Sequence, residues 1–125
     1  TEIRESSNIC SIFIDTDTAE RELELILNTN INAIELYTGP YAEACLSKSK
    51  SEIANEISKI RILAESAKEK GLKINAGHDL NAKNLPALRE LDLIDEVSIG
   101  HAIICESLSK GFEKTVNEYI DICNG

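Results

Sequence analysis

The sequence predicts an α/β fold that makes up half of a (β/α)8 TIM barrel. Short apolar runs rich in β-branched residues predict four strands, near residues 9–15, 32–38, 72–76 and 96–100. A stretch with helical spacing of apolar residues follows each run, so the order β-α repeats four times. Connections of this length suit right-handed crossovers and a parallel sheet. Residues 1–125 are therefore interpreted as one half-barrel domain.

Four βα units cannot close a barrel by themselves. A complete barrel of this type has eight strands and about 250 residues, whereas this chain has 125 residues. The strand at each side of the predicted sheet is left with an unpaired edge. We therefore expect either that an upstream half precedes Thr1 in a longer polypeptide, or that two chains meet.

Each predicted strand has one aliphatic face and one face with a polar side chain. In the third strand, Ile74 and Ala76 lie opposite Lys73 and Asn75. Strands of an open sheet covered by helices on both faces should be more uniformly apolar, so this alternation favours a barrel with a polar interior. The polar groups expected to converge there are Ser11 or Asp15, Glu35, Asn75 and Ser98.

The longest predicted helix has clear boundaries. It should begin near Ser49, with Glu52 in capping-box spacing, and end at Gly71, a residue suited to a left-handed C-cap. The Gly-Pro pair and polar tail within residues 39–50 predict a loop before it. Other helices are predicted after Asp17, around residues 84–91, and from His101 onward with a break near Gly111.

Charge and composition argue against several classes of partner. The net charge of −9 disfavours nonspecific binding to nucleic acid or to anionic lipid, since both require a cationic surface. The longest apolar runs, such as residues 12–14 and 102–104, are far too short to span a bilayer. The first residues do not resemble a signal peptide. We expect a cytoplasmic protein without nucleic-acid or membrane partners.

The cysteines do not predict a metal site. The chain has four of them, and they form no Cys-x-x-Cys pair and have no flanking histidine at ligand spacing. In a cytoplasmic protein we expect reduced thiols rather than disulfides. These residues are Cys10, Cys45, Cys105 and Cys123.

Both histidines of the chain directly follow a glycine at the end of a predicted strand. Gly77-His78 follows the third strand and Gly100-His101 the fourth, at the rim where barrel enzymes carry their active sites. The N–H groups of Gly100 and His101, at the start of a helix, would suit a phosphate. His78 is suited to general acid or base chemistry because its ordinary pKa lies near neutrality. The alternative is that each histidine is a helix cap or a surface residue.

Glu35 is a charged residue in the middle of an apolar strand. A carboxylate between Ile34 and Leu36 must be paired or hydrogen-bonded to be tolerated. A functional role is a reasonable inference for such a residue. The alternative is an ion pair with Lys73 or a position at the rim of the sheet.

Four motifs, SIFID, IELYTGPYA, KINAGHDL and EVSIGHAII, resemble in order and spacing the second half of the pyridoxine 5′-phosphate synthase family. The resemblance covers nearly the whole chain from Ile9 onward. It implies a (β/α)8 barrel of which this chain supplies the last four βα units. Members condense 1-deoxy-D-xylulose 5-phosphate with 3-amino-2-oxopropyl phosphate, forming pyridoxine 5′-phosphate, phosphate and water. The resemblance also implies that no cofactor or metal is needed and that the protein forms a homo-octamer.

The resemblance assigns roles to five residues. His78 matches the proton donor of the family, and Glu35 the glutamate that stabilises the transition state. Gly100 and His101 match the segment that binds 3-amino-2-oxopropyl phosphate, as does Asp79. Asp79 departs from the Gly-His-Gly form of the motif, and an ionised side chain aimed at phosphate would repel it. We therefore expect Asp79 to bind through its backbone, turn its side chain away and cap the following helix.

The remaining site residues of the family, including a second catalytic histidine and glutamate, belong to its first four strands. These 125 residues do not contain those strands, so the resemblance implies a longer polypeptide. Two other interpretations stay open: a non-enzymatic half-barrel that binds phosphate, and a different phosphate-handling TIM-barrel enzyme.

Overall fold

The computed structural model describes residues 9–18 and 20–125. Its strands form one four-stranded parallel sheet in the order β1-β2-β3-β4. The strands are β1 (Ser11–Asp15), β2 (Ala33–Tyr37), β3 (Lys73–Gly77) and β4 (Glu96–Ser98). The helices are α1 (Glu20–Leu27), α2 (Gly39–Ser47), α3 (Lys50–Glu69), α4 (Leu85–Arg89), α5 (His101–Lys110) and α6 (Phe112–Asn124). The predicted parallel α/β arrangement is confirmed.

The register of the sheet brings the carboxyl ends of all four strands to one edge. Asp15 pairs with Tyr37, Tyr37 with Gly77, and Gly77 with Ser98. Segments that follow the strands therefore start from a common rim. This is the edge at which ligands bind in parallel α/β sheets.

The aliphatic face of the sheet forms the core with the helices, as predicted. Ile34, Leu36, Ile74 and Ala76 are fully buried, and Ile14 is nearly so. They belong to one apolar cluster with helix residues that include Leu23, Ile60, Ala64, Leu85 and Leu88. Burial of these side chains, worth about 25 cal/mol per Å² of apolar surface, holds the helices on this side.

The opposite face of the sheet has no such cover from the described residues. Phe13 is 55% exposed, Ser98 is exposed, and Glu35, Tyr37 and Asn75 are half-buried. This is the face on which the sequence places its polar groups.

The boundaries of α3 match those expected from the sequence. The Ser49 hydroxyl accepts a hydrogen bond from the N–H of Glu52 at 3.4 Å, as in a capping box. After the helix, Gly71 has a φ of 78°, the left-handed conformation that glycine adopts without strain. The predicted break before the last helix is also confirmed, since Gly111 separates α5 from α6 with a φ of 87°.

The loop predicted for residues 39–50 is wrong, because Gly39–Ser47 forms α2. Pro40 lies in the first turn, where its missing N–H costs nothing. Tyr41 is buried and donates a hydrogen bond from its hydroxyl to the carbonyl oxygen of Asn84 at 2.7 Å. Ala42 and Ala44 are also buried. Tertiary burial thus stabilises a helix in a segment whose glycine, proline and polar residues suggest a turn.

Candidate active site

The backbone at the end of β3 adopts an unusual conformation at the first histidine. His78 has a φ of 100° and Asp79 a φ of 55°, values that residues other than glycine rarely adopt. Two such residues in succession cost on the order of 1–3 kcal/mol each, and they persist only where contacts with their surroundings offset that cost. Strain of this kind is concentrated at functional sites.

Thr38 is the residue that holds this turn. It is fully buried just after β2, and its N–H donates to the carbonyl oxygen of Gly77 at 2.9 Å. Its hydroxyl lies 2.8 Å from the same oxygen and 2.7 Å from the carbonyl oxygen of His78, so one proton is shared between two acceptors. Thr38 therefore fixes the direction in which the chain leaves β3.

Asn84 fixes the other end of the same loop. Its side-chain N–H donates to the carbonyl oxygen of Asp79 at 3.1 Å, and its side-chain oxygen accepts from the N–H of Asn81 at 2.8 Å. Asn84 is itself buried and accepts the hydroxyl hydrogen bond of Tyr41 described above. Burial, with a smaller contribution from the neighbouring Cys45, raises the pKa of Tyr41 well above its usual value. The tyrosine therefore stays a neutral donor.

Tyr119 connects this loop with α5. Its hydroxyl accepts a hydrogen bond from the N–H of Ala82 at 3.0 Å and donates to Glu106 at 2.8 Å. Burial is the main reason that the pKa of Tyr119 rises to about 12. Hydrogen bonds from Lys110 and then from Tyr119 lower the pKa of Glu106. The segments that follow β3 and β4 are thus joined through one side chain of α6.

The imidazole of His78 lies between an aromatic ring and a carboxylate. Its centroid is 4.8 Å from that of the Tyr37 ring, in an edge-to-face arrangement. Its Nε2 is 3.6 Å from Oδ2 of Asp79, and both side chains are more than half exposed. The expected capping role of Asp79 is not observed, because α4 begins after Asn84 with no side-chain cap.

Glu35 lies across the backbone of the neighbouring strand. A methyl group added at Gly77 would overlap Oε1 of Glu35 and lie 3.2 Å from Cβ of Ser98. Glycine is therefore needed here so that the carboxylate can approach the strand closely. The alternative partner, Lys73, instead forms an ion pair with Glu96 at 2.9 Å.

The second Gly-His pair forms the start of a helix rather than a tight turn. Gly100 is the N-cap of α5, it has a φ of −114°, and no side chain caps the helix. A Cβ at Gly100 would meet nothing within 4 Å. His101 is exposed, and its Nε2 lies 3.5 Å from Sγ of Cys105. The first N–H groups of a helix, with the positive end of its dipole, make an anion site available here.

One cavity of about 1170 Å³ joins the ends of β2, β3 and β4. It brings together four of the five predicted site residues, namely His78, Asp79, Gly100 and His101. Glu35 does not line it and lies deeper, against Gly77. Tyr37 and Ser98 line the cavity as well. The arrangement combines a group able to transfer a proton, a free helix N-terminus and room for a substrate with several polar groups.

Two negative findings apply to the residues that the structure describes. In this part of the chain, no group of three His, Cys, Asp or Glu side chains is arranged to hold a metal ion. Within the same ranges, no helix combines the length and the apolar character that crossing a membrane requires.

Sequence reasoning missed the residues that support the site. The sequence predicts Thr38 only as the last residue of a strand, and Tyr37 only as a residue within that strand. Asn84 was placed only at the start of a helix. A signal did exist for the loop, because Asn81 and Asn84 have the i, i+3 spacing of reciprocal capping, and each side-chain oxygen accepts the backbone N–H of the other residue. Nothing in the sequence indicates that Thr38 bonds to carbonyl groups 39 and 40 residues away.

The chain is similar in sequence to known proteins along its whole length. It matches the model of the family "Pyridoxal phosphate biosynthesis protein PdxJ" over residues 1–125. A pyridoxine 5′-phosphate synthase of Chelativorans sp. (strain BNC1) is 41% identical over 114 residues, which are 90% of this chain and 45% of that protein. The corresponding proteins of Chlorobium phaeobacteroides (strain BS1) and Parabacteroides distasonis are 35% and 42% identical. The matches cover 98% and 87% of this chain, and 49% and 44% of those proteins.

The chain spans about half the length of the curated relatives that it matches. By the match along its whole length, it belongs to the PdxJ family of pyridoxal phosphate biosynthesis proteins.

Proposed function

We propose that this chain supplies the last four βα units of a (β/α)8 barrel and half of the active site of a pyridoxine 5′-phosphate synthase. The observation that carries the proposal is the cavity at the carboxyl rim, which unites His78, Gly100 and His101 in a member of this family. The reaction is condensation and ring closure of 1-deoxy-D-xylulose 5-phosphate with 3-amino-2-oxopropyl phosphate. Its products are pyridoxine 5′-phosphate, phosphate and water.

The uncovered surfaces of the half-sheet support closure by an upstream half. β1 and β4 each have a neighbour on one side, so the outer edge of each strand is available for pairing. The face that carries Phe13 and Glu35 is open, and a barrel would enclose it. Beside β4, an apolar cleft of about 300 Å³ is lined by Val97, Ile99 and Ile103 together with residues of α6. Upstream βα units of the same polypeptide would cover this cleft. We further propose that the complete protein assembles as a homo-octamer.

The proposed roles follow from the geometry of the rim. His78 donates a proton to a substrate in the cavity, since its imidazole is accessible and lies on a fixed backbone. The N–H groups of Gly100 and His101 bind the phosphate of 3-amino-2-oxopropyl phosphate. Glu35 stabilises charge that develops in the transition state, from its position against Gly77.

Asp79 is proposed to bind the same substrate through its backbone. Its carboxylate faces Nε2 of His78 at 3.6 Å. The Asp79 carboxylate is then not aimed at a phosphate bound near the start of α5, so it does not repel that phosphate. The proposed compartment is the cytoplasm, where the cysteines, which are all free, remain reduced.

Turnover by the full-length polypeptide tests the proposal. Purified protein supplied with both phosphate substrates should release phosphate and form a pyridine product that absorbs in the near ultraviolet. His78→Ala should lower kcat by about 10²–10⁴-fold, the usual contribution of a positioned acid or base. Glu69→Gln is the control, since this exposed residue ends α3 close to where β3 begins, away from the carboxyl ends of the strands.

Three outcomes would contradict the proposal. Binding of both substrates without turnover would favour a non-enzymatic phosphate-binding barrel. Full activity in His78→Ala would remove the proton-donor role of His78, whereas failure of the wild-type protein to bind or convert the two substrates would favour a different phosphate-handling reaction.

A further inference from the structure

The ring of Tyr37 is held on three sides at the rim of the cavity. A Cβ at Gly39 would lie 2.5 Å from both Cζ and Oη of Tyr37, so the ring lies directly on the Cα of that glycine. The Phe13 ring is 5.6 Å away, centroid to centroid, and the His78 ring is 4.8 Å away. Contacts with Gly39, Phe13 and His78 therefore define the position of the Tyr37 ring.

The orientation of the His78 imidazole is less constrained than that of its backbone, so it depends more on a neighbouring side chain. Thr38 fixes the carbonyl group of His78, but the imidazole is 52% exposed and can rotate about two side-chain bonds. The Asp79 carboxylate is 63% exposed and 3.6 Å away, and exposed ion pairs orient groups weakly. An aromatic ring in edge-to-face contact excludes alternative rotamers and favours one orientation of the imidazole.

We infer that Tyr37 is a positioning residue for His78, and that Gly39 is required because any side chain there would displace the Tyr37 ring. The inference rests on the proposed function, in which His78 donates a proton. A proton donor must lie within hydrogen-bond reach of its acceptor, and a displacement of about 1 Å can cost about 10²-fold in rate. Tyr37 acts through its ring, and its hydroxyl takes no part in the reaction.

Three variants of the full-length protein separate the ring from the hydroxyl. Tyr37→Phe keeps the ring and should retain wild-type kcat. Tyr37→Leu removes the ring and Gly39→Ala displaces it, so each should lower kcat by about 10–100-fold while the KM values change little. If Gly39 acts only through Tyr37, the double variant Gly39→Ala/Tyr37→Leu should be no slower than Tyr37→Leu alone.

A spectroscopic measurement tests the contact without any turnover. With histidine labelled by ¹³C at Cε1, the His78 signal is assigned by its loss in His78→Asn. The Tyr37 ring current should shift that signal in the wild-type protein and in Tyr37→Phe, and the shift should disappear in Tyr37→Leu and Gly39→Ala. An inactive wild-type protein that still shows this pattern would refute the proposed reaction and leave the positioning intact.

Two results would overturn the inference. One is a His78 signal and a kcat that are both unchanged in Tyr37→Leu, since the ring would then not orient the imidazole. The other is a loss of activity in Tyr37→Phe equal to that in Tyr37→Leu, because the hydroxyl would then act on the substrate directly.

Discussion

The two Gly-His pairs look alike in the sequence, but their surroundings in the structure differ. Gly77 is buried beneath the Glu35 carboxylate, and His78 follows it in a left-handed backbone conformation. Gly100 has open space around its Cα, and His101 begins a ten-residue helix. Gly77 makes room for the side chain of Glu35, whereas Gly100 leaves the backbone N–H groups at the start of α5 accessible. The same dipeptide thus serves proton transfer in one place and anion binding in the other under the proposed function.

Replacing each glycine by alanine should separate the two roles, and Gly77→Ala should have the largest effect. Its methyl group would overlap Oε1 of Glu35, so the carboxylate must move. We expect a loss of about 1–2 kcal/mol in the free energy of unfolding, in the lower part of the range for an overpacked core, because the carboxylate ends a flexible side chain that can turn aside. Displacement of Glu35 should lower kcat by on the order of 10²-fold. Urea denaturation and steady-state kinetics measure both effects.

Gly100→Ala is the matched control, since its methyl group meets nothing within 4 Å. It should cost less than about 1 kcal/mol, the usual difference at an N-cap. It should raise the KM for 3-amino-2-oxopropyl phosphate rather than lower kcat. Equal losses of unfolding free energy in Gly77→Ala and Gly100→Ala would contradict the proposed difference between the two Gly-His pairs.

Thr38→Val tests what holds the first pair in its strained conformation. The substitution keeps the shape of the side chain but removes the hydroxyl that bonds to Gly77 and His78. We expect a loss of about 1–3 kcal/mol in unfolding free energy, because buried carbonyl groups lose a partner. The kcat should fall as well, since the turn that carries His78 is released.

Thr115→Val provides the control for Thr38→Val. Thr115 is also fully buried, and its hydroxyl bonds to the carbonyl oxygen of Gly111, away from the cavity. It should lower stability without changing kcat. A Thr38→Val protein with normal turnover would show that the turn keeps its conformation without the hydroxyl.

Tyr119→Phe tests the link between the two rim segments. The variant loses the hydrogen bonds to Ala82 and Glu106, at a cost of about 1–2 kcal/mol at neutral pH. The pKa of Tyr119 is raised to about 12, so the folded state favours the protonated phenol. Its contribution should be fully present below the ordinary pKa near 10 and should be lost as the pH rises toward 12.

Thermal unfolding of both proteins between pH 8 and about 12 measures this effect. The wild-type advantage over Tyr119→Phe should shrink across the upper part of that range. If the difference in stability between the two proteins stayed constant with pH, folding would not change the pKa of the Tyr119 phenol. Tyr41, whose pKa is also raised, is present in both proteins and cancels in the comparison.

Asp79→Asn should have the smallest effect. The Asp79 carboxylate faces His78 and is mostly exposed, and asparagine tolerates the same left-handed backbone conformation. The KM for 3-amino-2-oxopropyl phosphate should change by less than about twofold. A large change in this KM would place the carboxylate next to the phosphate, contrary to the proposed backbone contact.

Much of the fold could be predicted because the signals are local. Alternation along the strands identified the buried face, and the Ser49 and Gly71 boundaries depend on hydrogen bonds within a few residues. Residues 39–50 were predicted wrongly because their helix depends on burial of Tyr41 against the core, which no local pattern encodes. The candidate rim was predictable in the same way, since strand ends of a parallel sheet meet at one edge.

By itself, the sequence determined the repeating β-α order, the polar face of the sheet and the positions of both histidines at strand ends. These follow from side-chain periodicity and from the rule that parallel strands share a direction. Only the tertiary structure decided that Gly77 accommodates Glu35, that Thr38 and Asn84 fix the His78 loop, and that Tyr37 contacts the imidazole. Such contacts join residues far apart in the chain, and they form only when the strands and helices have packed together.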